Sequence, residues 1–242
     1  MEDQNYQFKN VIQLDGAESS KKFMASVFLW MFIALGISAG LAYWFANDYT
    51  LLSYLVDPLT GGTSLLGKIA MFAPLGFVLL MSYGFQKLPY GVLIVLFTTY
   101  AAITGISLSF ILLAYTASSI YGCFITASLL FGVMAIAGYT TSQDLTKMGS
   151  ILIMLLIGLV IASIVNWFLK SDQLDYILSF IGVVIFVGLT AYDVQKLKKI
   201  SYSANELGEV QMSKLSIIGA LTLYLDFINL FLYLLRLFGR RK

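Results

Sequence analysis

The chain contains no histidine, one cysteine and little charge. Without histidine there is no imidazole metal site, no Ser-His-Asp triad and no imidazole pH switch. Any pH sensing near neutrality would fall to carboxylates. The single cysteine, Cys123, excludes an intrachain disulfide. Charged residues make up 12% of the chain, against roughly 25% in a typical soluble domain. The net charge is +2, and no basic stripe runs along any segment, so the chain offers nothing that would track a nucleic acid. A cleavable signal peptide is also missing. Met1 to Lys22 is polar with charges of both signs, and the apolar run after it spans about 24 residues, too long for a signal h-region. There is no lipidation motif and no internal repeat of the kind that two-halved transporters carry.

Apolar sequence fills the space. Hydrophobic residues make up 59% of the 242, and the mean hydropathy is +0.85. No water-soluble globule of this size could bury that much apolar surface, so the chain is expected to lie in a lipid bilayer. Seven apolar stretches are long enough to span it: about 23–46, 69–85, 90–115, 121–139, 150–169, 176–197 and 215–238. Tyr43-Trp44-Phe45 and Asn166-Trp167 sit at span ends, where aromatic groups settle at the headgroup level. Pro58 and Gly61-Gly62 read as turn residues in the first connection. Pro74 and Gly76 inside the second span predict a kink. The domain reading is a polar N-terminal tail (1–22), disordered or lying on the membrane surface, a seven-helix transmembrane domain (23–238) and a basic C-terminal tail (239–242).

An inside N-terminus collects most of the lysines on the inner loops and tail, as the positive-inside rule prefers. Seven spans then leave Arg240, Arg241 and Lys242 outside, against the same rule. Sidedness therefore stays open at this stage.

Two aspartates stand out. The sixth stretch runs apolar from Phe180 and reaches Asp193; the seventh carries Asp226 near its middle. A carboxylate near the bilayer centre costs at least ~2.5–3.5 kcal/mol on insertion scales, so it needs a partner or a function. Gly219, Thr222, Asp226, Asn229, Tyr233 and Arg236 recur at steps of three and four, forming one polar stripe on an apolar helix. Such a stripe must face protein or water. The bland readings are a structural hydrogen-bond seam for the stripe and, for Asp193, an interfacial residue that pairs with Lys196. Hairpin geometry leaves Asp226 roughly 10 Å deeper than Asp193 at 1.5 Å per residue. Tilt or a sunken seventh helix must remove that gap before the two touch. If they do touch, both cannot ionise cheaply in a low dielectric; they share a proton. The pair would then hold a proton or a hard cation such as Ca²⁺, which takes oxygen ligands.

Gly188-Leu189-Thr190-Ala191-Tyr192-Asp193-Val194-Gln195, followed by Leu221-Thr222-Leu223-Tyr224-Leu225-Asp226-Phe227-Ile228-Asn229-Leu230-Phe231 and the closing Leu234-Leu235-Arg236-Leu237-Phe238-Gly239, closely resembles the Bax inhibitor family, the transmembrane-Bax-inhibitor-motif proteins, in its bacterial form. Thr104-Gly105-Ile106-Ser107-Leu108-Ser109 and Thr140-Thr141-Ser142-Gln143-Asp144-Leu145-Thr146-Lys147-Met148-Gly149 fit as well. The resemblance implies an all-α membrane protein of seven transmembrane helices, the last one central and wrapped by the other six, in the cell (inner) membrane. It implies a pH-sensitive calcium leak whose paired aspartates map onto Asp193 and Asp226, which serve as pH sensor, ion pathway and metal ligands. Thr222, Asn229, Tyr233 and Arg236 would support them. In some members an arginine late in the second helix locks onto the first aspartate. Here that region reads Gln86-Lys87-Leu88, so Lys87 is the candidate latch, without the forked geometry of arginine. The implied partners are the lipid bilayer, Ca²⁺, protons and a membrane protease, with no nucleic acid and no cofactor beyond the transported ion.

Two other functions compete. Intramembrane aspartyl proteases also place one aspartate in each of two neighbouring spans, the first after a tyrosine, as in Tyr192-Asp193. Their second is preceded by Gly-x-Gly, whereas Asp226 follows Leu223-Tyr224-Leu225, and no Pro-Ala-Leu element follows. The chain is therefore read as no enzyme. The alternative is a membrane interaction protein that modulates a membrane protease or stress and cell-death machinery, with the stripe purely structural.

Overall fold

A computed structural model describes residues 2–57, 62–85, 87–203 and 208–242. Pro58, Gly61 and Gln86, singled out above, lie outside the described residues. In lipid a backbone must satisfy its own polar groups, and helices do so within one segment. Among the described residues there are eight helices: α1 (Glu2–Asn47), α2 (Tyr49–Leu55), α3 (Leu65–Gly84), α4 (Tyr90–Ala114), α5 (Ala117–Thr140), α6 (Thr146–Leu169), α7 (Asp172–Ser203) and α8 (Glu209–Phe238). All but α2 are long and apolar enough to cross a bilayer. They fall where the apolar runs predict them.

The differences lie at the ends. The polar stretch up to Lys22 is read as a tail, but α1 is already helical there, and Ser20 is buried against Ser201 of α7. The first connection is not only a loop. Asp48 caps α2 by accepting from the N–H groups of Thr50 and Leu51, and Val56 pairs with Thr63 in an antiparallel bridge. Ser64 then caps α3. Helix α7 runs past the expected Leu197 to Ser203, and its last turns are tied down by Lys198, on the Tyr139 carbonyl of α5, and by Lys199, on Asp144.

Burial ranks the helices. Of the most apolar window of α8, 67% is buried, and of α7, 56%; α3 and α6 reach only 11% and 17%. Thus α7 and α8 form the core, and α3 and α6 present most of their surface to lipid. Helix α8 packs directly on α1, α4, α5 and α7, whereas α3 packs chiefly on α4, and α6 chiefly on α7. The last helix therefore has four principal neighbours rather than the six expected to wrap it. Tyr224 lies at the centre of its inner face, with Phe97 and Tyr100 of α4 edge-on to its ring. Its hydroxyl donates to Ser38 Oγ of α1 at 2.7 Å, and Ser38 donates in turn to the carbonyl of Ala101.

Candidate functional site

Helices α7 and α8 are antiparallel, and glycine sets how closely they approach. A Cβ on Gly182 would sit 2.7 Å from the Tyr233 ring, and one on Gly219 would sit 2.8 Å from Leu197. Tyr233 also stacks on Phe186 at 5.8 Å, and Arg236 reaches to 3.9 Å from Asp175. The polar stripe of α8 therefore lies along its seam with α7. Within the stripe, Thr222 and Asn229 hydrogen-bond back to carbonyls of their own helix, those of Ile218 and Leu225.

The register of this seam matters most for the aspartates. Leu197 lies against Gly219, and Phe186 against Tyr233. Relative to a symmetrical hairpin about the α7–α8 connection, α8 is offset by one to two turns, ~6–10 Å at 1.5 Å per residue. That offset removes the depth gap. The Asp193 and Asp226 carboxyls lie near enough for each to act on the other's charge. They are only 9% and 5% exposed, and Asp226 Oδ2 has no hydrogen-bond partner. Lys196 does not form an ion pair with Asp193. Its amine lies over the Tyr192 ring at 5.8 Å, within reach of Asp193 only through its field. Lys87 is exposed in the α3–α4 connection, and among the described residues no ion pair joins it to Asp193.

The backbone on either side of Asp193 is held by residues that sequence reading did not single out. Gly138 of α5 abuts the Ala191 backbone, and Gly149 of α6 abuts the Tyr192 ring; a Cβ would come within 2.2 and 2.3 Å. One turn on, Gln195 is buried and spans the α5–α6 connection: its Oε1 accepts from Leu145 N–H at 2.9 Å, and its Nε2 donates to the Gln143 carbonyl at 2.7 Å. Lys198 donates to the Tyr139 carbonyl at 2.7 Å. Lys199 pairs with Asp144, and this contact, with the hydrogen bonds from Thr146, holds the Asp144 carboxyl well below the usual carboxylate range. The Thr140 to Gly149 motif is thus the dock for the end of α7. Its signal was visible only as a motif, with no chemistry to attach to it.

The match to known sequences covers this whole arrangement. Residues 20–242 match the family described as "Inhibitor of apoptosis-promoting Bax1". The chain belongs to the Bax inhibitor family. Among the relatives of this Bax inhibitor homologue, Inner membrane protein YbhL of Escherichia coli (strain K12) is 46% identical over 220 residues, covering 91% of this chain and 92% of that protein. Uncharacterized protein RP147 of Rickettsia prowazekii is 45% identical over 93% and 92% of the two chains, and a Borreliella burgdorferi protein is 43% identical over 91% and 93%. The protein is a multi-pass membrane protein of this family, and the two aspartates, their seam and the α5–α6 dock all lie inside the matched segment.

Two carboxyls that face each other in so dry a place have a narrow repertoire. They can hold one proton between them, or release it and attract a cation. No group of three or more acidic or cysteine ligands occurs among the described residues.

Proposed function

We propose that this Bax inhibitor homologue is a pH-sensitive leak for cations, with Ca²⁺ as the physiological ion, in the bacterial inner membrane. The observation that carries the reading is the buried contact of Asp193 and Asp226, with Asp226 Oδ2 left unpartnered. A shared proton satisfies that oxygen and leaves the pair with a single negative charge, which keeps the seam closed. Loss of the proton leaves two like charges in a low dielectric. Their repulsion favours either entry of a cation or separation of α7 from α8.

Access from the end of the hairpin supports the same reading. A polar recess of about 570 Å³, lined by Ser19, Lys22, Ser26, Glu209, Ser213 and Ser216, lies between the middle of α1 and the start of α8. Below it, Val27, Leu197 and Gly219 are in tight contact. The aspartates lie one to two turns deeper on the same seam. A cation on this path must part Leu197 from Gly219, so the conformation described here is closed at that point.

The test is Ca²⁺ flux into proteoliposomes between about pH 6 and 8, a range in which unperturbed carboxylates would not titrate. The native chain should show flux that depends on pH. Asp193→Asn/Asp226→Asn should carry no such dependence. If a folded native protein gives no flux above empty liposomes, the interaction-protein reading takes its place.

A further inference from the structure

On the other side of α8 and reaching the opposite end of the bundle from the α7–α8 connection, α1, α4, α5 and α8 enclose a groove of about 440 Å³ that opens sideways. This is within the roughly 300–1,000 Å³ range of small-molecule sites. The hollow exists because Ala39, Ala42 and Ala46 line one face of α1 where larger side chains would fill it. Leu108 and Ile111 of α4 and Phe231 of α8 make the rest of the wall apolar. Tyr43, Asn47, Tyr121 and Lys242 stand at the mouth, at the ends of their helices, where a bilayer has its headgroups.

The basic tail is fixed at that mouth. Arg241 pairs with Tyr115 in an antiparallel bridge, Thr116 N–H donates to the Arg240 carbonyl, and Lys242 N–H donates to the Ala114 carbonyl. Arg240 N–H also donates to Ser119 Oγ, and Lys242 Nζ to the Leu112 carbonyl. Side chains alternate along an extended segment. Arg241 lies over the Tyr115 ring at 6.0 Å and feels Asp172 and Asp175. Arg240 and Lys242 therefore share the opposite side, and Lys242 lines the groove. The Arg240 guanidinium is exposed, with no partner among the described residues.

We infer that this groove binds one acyl chain of an anionic glycerophospholipid, whose phosphate is held at the mouth by Arg240 and Lys242. The groove wall is as apolar as the tail it would receive, and it faces the lipid phase. Arg240, and Lys242 with the donors left over by its bond to the Leu112 carbonyl, select the headgroup by charge, with Arg240 able to fork onto a phosphate. A zwitterionic lipid would enter the same hollow without that selection.

Native mass spectrometry of the full chain in mild detergent, titrated with phosphatidylglycerol and, separately, phosphatidylcholine, tests this. The native protein should retain phosphatidylglycerol in preference. Arg240→Gln/Lys242→Gln leaves the backbone pairing of the tail in place and changes only exposed or rim side chains. It should reduce the preference by about five-fold for each charge removed. Ala39→Phe, on the groove wall, should lower retention of both lipids. Equal retention of the two lipids by the native chain, or an undiminished preference in the double variant, overturns the proposal. So does a groove found to retain no lipid but a co-purifying membrane polypeptide. If Ala39→Phe does not give a monodisperse protein, the charge variant decides alone.

Discussion

Gly138→Ala is the most direct test of how α7 is held. The added Cβ would lie 2.2 Å from the Ala191 carbonyl oxygen and 2.8 Å from its Cα. Both are backbone atoms, so no rotamer change relieves the clash, and α5 and α7 must separate. Forcing a methyl into a packed contact costs about 1–3 kcal/mol. Alanine also favours the helix over glycine by about 0.8–1.0 kcal/mol, which would partly mask that cost. Gly132→Ala corrects for this. It is on the same helix, and its Cβ would meet nothing within 4 Å. The difference between the two variants therefore isolates the clash. At about 2–4 °C per kcal/mol for a chain of this size, Gly138→Ala should melt several degrees below Gly132→Ala in detergent, followed by intrinsic fluorescence or loss of monodispersity. Because Ala191 is two residues from Asp193, the same variant should alter ion flux, while Gly132→Ala should not. Equal melting of the two variants would refute the close approach of α5 to α7, and with it the argument that Asp193 is positioned by that contact.

Gln195→Leu removes both of the hydrogen bonds that Gln195 makes to the α5–α6 connection. Leaving Leu145 N–H and the Gln143 carbonyl unpartnered should cost about 1–3 kcal/mol and expose residues 141–145 to limited proteolysis. Asp144→Asn gives a pH control. The Asp144 carboxyl is depressed by Lys199 and then by Thr146, so its stabilising contact is complete above the ordinary carboxylate range and is lost only as strong acid protonates it. The pH profile of flux between about 6 and 8 should therefore be unchanged by Asp144→Asn, and a displaced profile would argue against the aspartate pair as the sensor. Tyr224→Phe removes the hydroxyl that donates to Ser38. Ser38 keeps its bond to Ala101, so the loss should be about 0.6 kcal/mol, the average for interhelical hydrogen bonds in a membrane protein, read as a small drop in melting temperature.

The spans were legible because length and hydropathy alone decide what can lie in a bilayer. The polar stripe of α8 was legible because its period is that of a helix. Neither source could supply the identity of the partner helix, since Gly182 and Gly219 look like any other glycines until Tyr233 and Leu197 are seen against them. The residues that dock α7 were harder still. Gln195 and Lys198 bind main-chain carbonyls and N–H groups, and a backbone partner leaves no mark in a sequence. The helical start of α1 was missed for a related reason: its polar composition gives no hydropathy signal, whereas the buried contact of Ser20 with Ser201 needs the fold.

The aspartates show where local reading ends. Counting residues from the hairpin puts Asp226 too deep to meet Asp193, and that arithmetic is sound for a symmetrical pair of helices. It fails because the register is not set by the connection. Tyr233 on Gly182, Leu197 on Gly219 and Ser26 of α1 on Ser216 each fix α8 against its neighbours over many residues, and the connection need only follow. Packing along the seam thus brings the two carboxyls near each other. Under the proposed leak, ionisation of that pair is where the energy changes most, since two like charges in a low dielectric repel.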